Sequence, residues 1–332
     1  MKHIGEQPER RSVLTIPGPS GVLYGTLHRG GSRGPESSGV CVLLLSAGLR
    51  SRSGPHELYV RLASALCAAG HHVLRLDCGG VGDSEGELPE GSLLEIDHAV
   101  DRGLFVDDVR AAIDAAVREC GAKRIVLSGL CAGATTALLT AAIDERVQAL
   151  LLMGIATLMT PDPAEKEGLT EGVANIYIDG YCRKLFRAES WRRFLSLRSN
   201  YRALGSALYR WVRSRAVPRG HGLHPRLNMR AVEALQQCAQ RGVRMLFVFG
   251  EADMELGNFQ VEFVGRALDS ELQRRVNETL VVVPDADHTF TEQASVERLG
   301  RAVRDWLDTE AEEASEAVIA MEDATRSRAL TA

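Results

Sequence analysis

Cys131 occupies the centre of Gly129-Leu-Cys-Ala-Gly133, directly after the apolar run Ile125–Ser128. The spacing G-x-C-x-G is that of a sharp strand–turn–helix corner that presents one nucleophile clear of the chain. Such a corner holds its nucleophile in strained backbone, and strand and helix pass each other without an intervening Cβ, hence the small flanking residues. A thiol there forms thioesters, which points to acyl chemistry.

A nucleophilic thiol needs a base, and the base needs an orienting acid. Both follow later, each after an apolar run. Arg244–Gly250 leads into Glu251-Ala-Asp253, and Thr279–Val283 leads into Pro284-Asp-Ala-Asp-His288. We expect His288 as base and Asp253 as acid, with Glu251 and Glu255 near enough to take the acid's place. An oxyanion formed during acyl transfer needs backbone N–H donors. One is expected from Ala132, which follows the nucleophile. The other is expected from Ser46-Ala-Gly-Leu49, with Leu49 the first choice and Gly48 its neighbour.

These segments need elements that bring them together. Val13–Ile16 and Val22–Leu27 flank a Pro/Gly cluster and read as a hairpin. Val40–Ser46 is apolar throughout, as in a strand covered on both faces. A helix is expected over Pro55–Ala69, then a strand (His72–Asp77), a helix (Phe105–Cys120), a strand (Lys123–Ser128), the helix Ala132–Ile143 and a strand (Val147–Gly154). After an interruption come Met229–Arg241 (helix), Arg244–Gly250 (strand), Phe259–Leu268 (helix), Thr279–Val283 (strand) and Thr291–Leu307 (helix). This alternation predicts an α/β fold with a mostly parallel sheet covered by helices. Reactive groups at the C-terminal ends of its strands share one edge. Residues 1–156 and 227–309 are expected to form the core in two parts. Residues 157–226 are too many for a simple connection and read as an inserted helical lid. Residues 310–332 read as a flexible tail.

Together the residues resemble the α/β-hydrolase superfamily. The resemblance is carried by Ser46-Ala-Gly-Leu49, Leu76-Asp-Cys-Gly-Gly-Val-Gly-Asp-Ser-Glu-Gly86, the corner at 129–133, Gly250-Glu-Ala-Asp253 and Asp287-His288, over about residues 13–308. The chain looks most similar to bacterial serine-aminopeptidase-like hydrolases with a Gly-Pro-x-x-Leu-Tyr stretch, here Gly54–Tyr59. It departs from them at Ala47-Gly48, where His-Gly is usual, and at Cys131, where Ser is usual. A cysteine at the corner is similar to dienelactone hydrolases, exosortase-associated hydrolases and aminoacyltransferases that move acyl groups between carrier proteins. The resemblance therefore implies acyl transfer through a Cys131 thioester, or hydrolysis of a small ester or lactone by the same three residues.

Composition bounds the alternatives. The 332 residues carry a net charge of −5, which disfavours nucleic-acid binding as a global property. No apolar run is long enough for a membrane span, and the N-terminal residues lack a signal peptide's apolar core, so a cytoplasmic location is expected. Seven cysteines with no C-x-x-C fit reduced thiols, with neither a zinc site nor a disulfide framework. The glycine-dense stretch 79–86 lacks a phosphate-loop lysine, so no nucleotide or other cofactor is expected. Residues 181–226 hold twelve Lys or Arg against one acidic residue, Glu189. With Arg187, Arg192 and Arg193 at its centre, this segment reads as a docking surface for an acidic acyl or peptidyl carrier protein, or as the pocket wall for a small acyl substrate.

Overall fold

The computed structural model describes residues 10–31, 39–160 and 222–309. β1 (Arg10–Gly18) and β2 (Gly21–Arg29) form the expected hairpin, closing at Gly18 and Gly21. β3 (Val40–Leu45), β4 (His72–Leu76), β5 (Arg124–Leu130), β6 (Val147–Met153), β7 (Arg244–Gly250) and β8 (Leu280–Val283) complete one eight-stranded sheet. Its order is β1-β2-β4-β3-β5-β6-β7-β8. From β4 to β8 every neighbouring pair is parallel, and β2 joins β4 antiparallel.

The sheet has a core on each face. Alternate residues of β3 supply both: Cys41, Leu43 and Leu45 face one core, and Val40, Val42 and Leu44 the other. This is why the run is apolar without interruption. The first core is covered by α2 (Leu93–Asp101), α3 (Val106–Cys120), α4 (Ala132–Ile143) and α5 (Met229–Gln240). The second is covered by α1 (Leu58–Ala68) and a C-terminal helix over 293–309. α3 and α5 each turn an apolar stripe inward, the ordinary basis of helix-on-sheet packing, whereas α4 is apolar nearly all round and buried on most of its surface.

Four elements differ from the sequence expectation. The helix expected from Pro55 is a 3-10 turn (Pro55–Glu57) followed by α1. His56 and Glu57 hold positive φ between the two, and the Tyr59 N–H reaches back to the Ser53 carbonyl at 3.1 Å. α2 was not expected, although Ser92 and Glu95 form a complete capping box at its start. α7 (Ser270–Glu278), capped by Asp269, was also missed. The helical stretch expected over Phe259–Leu268 begins earlier, with α6 (Met254–Asn258), and continues through a π turn at Phe259–Val264.

The basic segment, with Arg187, Arg192 and Arg193, and the tail at 310–332 lie outside the described residues. What is described is the base of the interruption. Leu158 and Leu227 form an isolated antiparallel bridge, and Met159 N–H donates to the Arg226 carbonyl at 2.8 Å.

Candidate active site

β5 ends at Leu130 and α4 begins at Ala132, which leaves one residue for the reversal. That residue is Cys131, with φ 57° and ψ −123°. A non-glycine residue in this region carries about 1–3 kcal/mol of strain, which the surroundings must hold. Two glycines permit it. A Cβ on Gly129 would come within 2.3 Å of the Gly133 backbone, and one on Gly133 within 2.6 Å of the Ser46 carbonyl oxygen. The corner is fixed from outside as well. Cys131 N–H donates to the Met153 carbonyl at 3.0 Å, and Leu130 N–H donates to the hydroxyl of the fully buried Tyr59 at 2.7 Å.

The structure brings His288 and Asp253 together. His288 Nδ1 lies 2.8 Å from Asp253 Oδ2, and Asp253 is 1% exposed. The other carboxylate oxygen, Oδ1, accepts the Glu255 N–H at 2.9 Å. Asp253 is thereby both the cap of α6 and the partner of the imidazole. The alternatives are engaged elsewhere: Glu251 accepts from the Asp285 N–H, and Glu255 from the Asn258 amide. α6 is anchored by Phe259, whose ring packs on Phe247 and Phe249 of β7.

The Cys131 thiol is within hydrogen-bonding reach of the same imidazole. With Nδ1 on Asp253, the ring's Nε2 is left for the sulfur. Burial pulls the His288 pKa down, but the hydrogen bonds to Asp253 and Cys131 and their negative charges outweigh it. The imidazole is pushed up to about 10. The site therefore favours the protonated imidazolium form of His288.

Leu49 and Ala132 both sit half-buried beside this corner, packed against the same core. Gly48 and Ala132 are neighbours: a Cβ on Gly48 would lie 3.9 Å from that of Ala132. Among the described residues, no acceptor takes the N–H of Leu49 or of Ala132. Two unengaged donors beside one thiol are of the kind that can stabilise an oxyanion.

Sequence reasoning missed two features. Gly154, just after β6, lies under the histidine–aspartate pair with φ +48°. A Cβ there would sit 2.9 Å from the His288 ring and 3.0 Å from the Asp253 carboxylate. The second feature is a clamp on the loop after β3. Asp77 is fully buried; its carboxylate accepts the Arg52 N–H at 2.5 Å and pairs with the Arg52 guanidinium. Arg52 also pairs with Asp83 at 2.8 Å, and its carbonyl accepts from Arg75 at 3.0 Å. The glycine-dense stretch is thus a cradle for an ion pair that fixes the loop carrying Leu49.

The alpha/beta hydrolase family model matches residues 42–301, which span every one of these groups. The chain belongs to the alpha/beta hydrolase family. It is an enzyme fold with a hydrolase-type site. Solved structures agree on the fold. A hypothetical protein of Pseudomonas aeruginosa superposes with a TM-score of 0.54 at 16% identity, covering 92% of this chain and 94% of its own. An esterase of Pyrococcus furiosus gives 0.53 at 15%, covering 93% and 96%. No curated protein matches the chain. Among the described residues no helix is long and apolar enough to cross a membrane, and no cluster of metal ligands occurs.

Proposed function

We propose that this α/β hydrolase catalyses acyl transfer through a thioester on Cys131, acting as a thioesterase or as an acyl or aminoacyl transferase on a carrier-bound thioester. The observation that carries the reading is a cysteine at a strained corner within reach of an imidazole held 2.8 Å from a buried carboxylate. Cys131 sulfur attacks the acyl carbonyl. Its N–H neighbours Leu49 and Ala132 receive the oxyanion, the bond to the donor sulfur breaks, and imidazolium His288 protonates the departing thiolate. Asp253 holds the ring's orientation through both steps. A second thiol, an amine or water then takes the acyl group, with His288 as base.

Exchange of one thioester for another is nearly balanced in energy, so a cysteine suits a reversible relay. The basic segment around Arg187, Arg192 and Arg193 is the proposed docking surface for an acidic carrier protein. Family membership itself favours the second reading, hydrolysis of a small ester or lactone by the same Cys131–His288–Asp253 set. The test is to incubate the full chain with an acyl-pantetheine thioester, and separately with an acyl-loaded carrier protein, then weigh the intact protein. An acyl adduct mapped to Cys131 supports transfer, and Cys131→Ser should shift its products toward free acid. Turnover of small esters without any thioester-derived adduct would favour the second reading. Activity that survives complete alkylation of Cys131 would overturn both.

A further inference from the structure

Cys41 and Cys120 stand apart from the chemistry above. Cys41 is the second residue of β3 and pairs with His72 and Ile125, near the starts of β4 and β5. It lies at the sheet edge opposite Cys131. Cys120 is the last residue of α3, the helix packed over that strand. Their sulfurs are 4.0 Å apart and in hydrogen-bonding contact. Cys41 is fully buried, whereas Cys120 is partly exposed.

We propose that Cys41 and Cys120 form an oxidisable dithiol, with Cys120 as the attacking sulfur and Cys41 as the resolving one. The asymmetry of exposure assigns the roles, because only Cys120 can meet a solute. Local charge acts in the same sense. Arg29, at the end of β2, donates to the Glu119 carbonyl at 2.7 Å beside Cys120. The hydrogen bond with Cys41 and the Arg29 charge outweigh burial and hold Cys120 below the ordinary thiol range. The hydrogen bond with Cys120 and burial push Cys41 well above it. Cys120 is thus the more readily deprotonated of the two sulfurs, and Cys41 the one that holds its proton longer.

The co-reactant is a small soluble disulfide. Cys120 gives up its proton and its sulfur attacks one sulfur of that disulfide; the S–S bond breaks, and the thiolate that departs takes up a proton equivalent to the one Cys120 released. Cys41 sulfur then attacks Cys120 in the mixed disulfide and expels the second thiolate, which takes the Cys41 proton. The pair loses two electrons and the oxidant becomes two thiols. A protein disulfide is about 2 Å long, so the sulfurs must close by about as much again for the bond to form. The bond would tie a central strand to its covering helix across 79 residues of sequence.

The test treats the reduced full-length protein with oxidised glutathione, followed by intact-mass and peptide analysis. The expected result is loss of two hydrogens, a Cys41–Cys120 cross-linked peptide, a higher melting temperature, and reversal of all three by dithiothreitol. Cys41→Ala should instead accumulate glutathione on Cys120. Cys120→Ser, a change at a partly exposed helix end, should abolish both the link and the shift in melting. A stable glutathione adduct on Cys120 of the unaltered protein would overturn the proposal, as would oxidation confined to other cysteines. Neither outcome bears on acylation of Cys131, so the two readings fail separately.

Discussion

At the residue scale, the site depends as much on an absent side chain as on those present. Gly154 gives His288 and Asp253 the space to meet, and its φ of +48° disfavours any replacement. Gly154→Ala should push the ring off its carboxylate, lowering acylation of Cys131 at least tenfold and stability by about 1–3 kcal/mol. Single-turnover acylation and chemical denaturation measure the two. The charge state of His288 gives a second prediction. Its folded-state pKa of about 10 exceeds the ordinary 6.5, so its contribution to stability is complete below pH 6.5 and is lost as pH rises through about 10. Asp253→Asn should flatten that part of the stability–pH curve, as read by urea melts between pH 6 and pH 10. Cys131, Asp253 and His288 were legible in sequence because chain order and strand-end position mark them. Gly154 was not, since a glycine closing a strand looks the same whether or not a histidine–aspartate pair lies above it.

Between the residues and the fold stand the elements that hold donors in place. Leu49 N–H lies on a loop with no regular structure of its own; Arg52, three residues on, is its anchor to Asp77 and Asp83. Removing the guanidinium leaves a buried carboxylate uncompensated, at about 3–5 kcal/mol. Arg52→Met should therefore lower stability and slow acylation of Cys131 by roughly a hundredfold, the scale of losing one oxyanion donor. Alkylation of Cys131 by iodoacetamide needs no such donor and should keep its rate. Equal slowing of both reactions would show that the clamp does not act through Leu49. Tyr59 serves the corner in the same way: Tyr59→Phe strips the Leu130 N–H of its acceptor, a loss of about 1–3 kcal/mol measurable by denaturation. The sequence marked the glycine-dense stretch as unusual but not its purpose, because the partner arginine lies 25 residues away in the chain. The start of α2 was readable from its capping box; the kink at His56 and Glu57 was not, since it answers to the burial of Tyr59.

For the molecule as a whole, a mostly parallel sheet covered on both faces followed directly from the alternation of apolar runs and amphipathic stretches, whereas the strand order is set by pairings between segments distant in the chain. Cys131 precedes residue 157, and Asp253 and His288 follow residue 226, yet β6 and β7 lie side by side in the sheet. The bridge between Leu158 and Leu227 explains how this holds across so long an interruption: the chain leaves and rejoins the core at nearly one point. Replacing 161–221 by a short Gly/Ser linker should preserve a cooperative melt and leave Cys131 open to alkylation, while abolishing any salt-sensitive binding of an acidic carrier. Loss of the cooperative melt would show that the core needs the segment to fold. The suture at Leu158 and Leu227 also bears on how such enzymes diversify. Because residues 158 and 227 pair with each other, a change of length between them need not shift the register of β6 against β7, so the intervening segment can vary while the sheet that carries Cys131, Asp253 and His288 keeps its pairing.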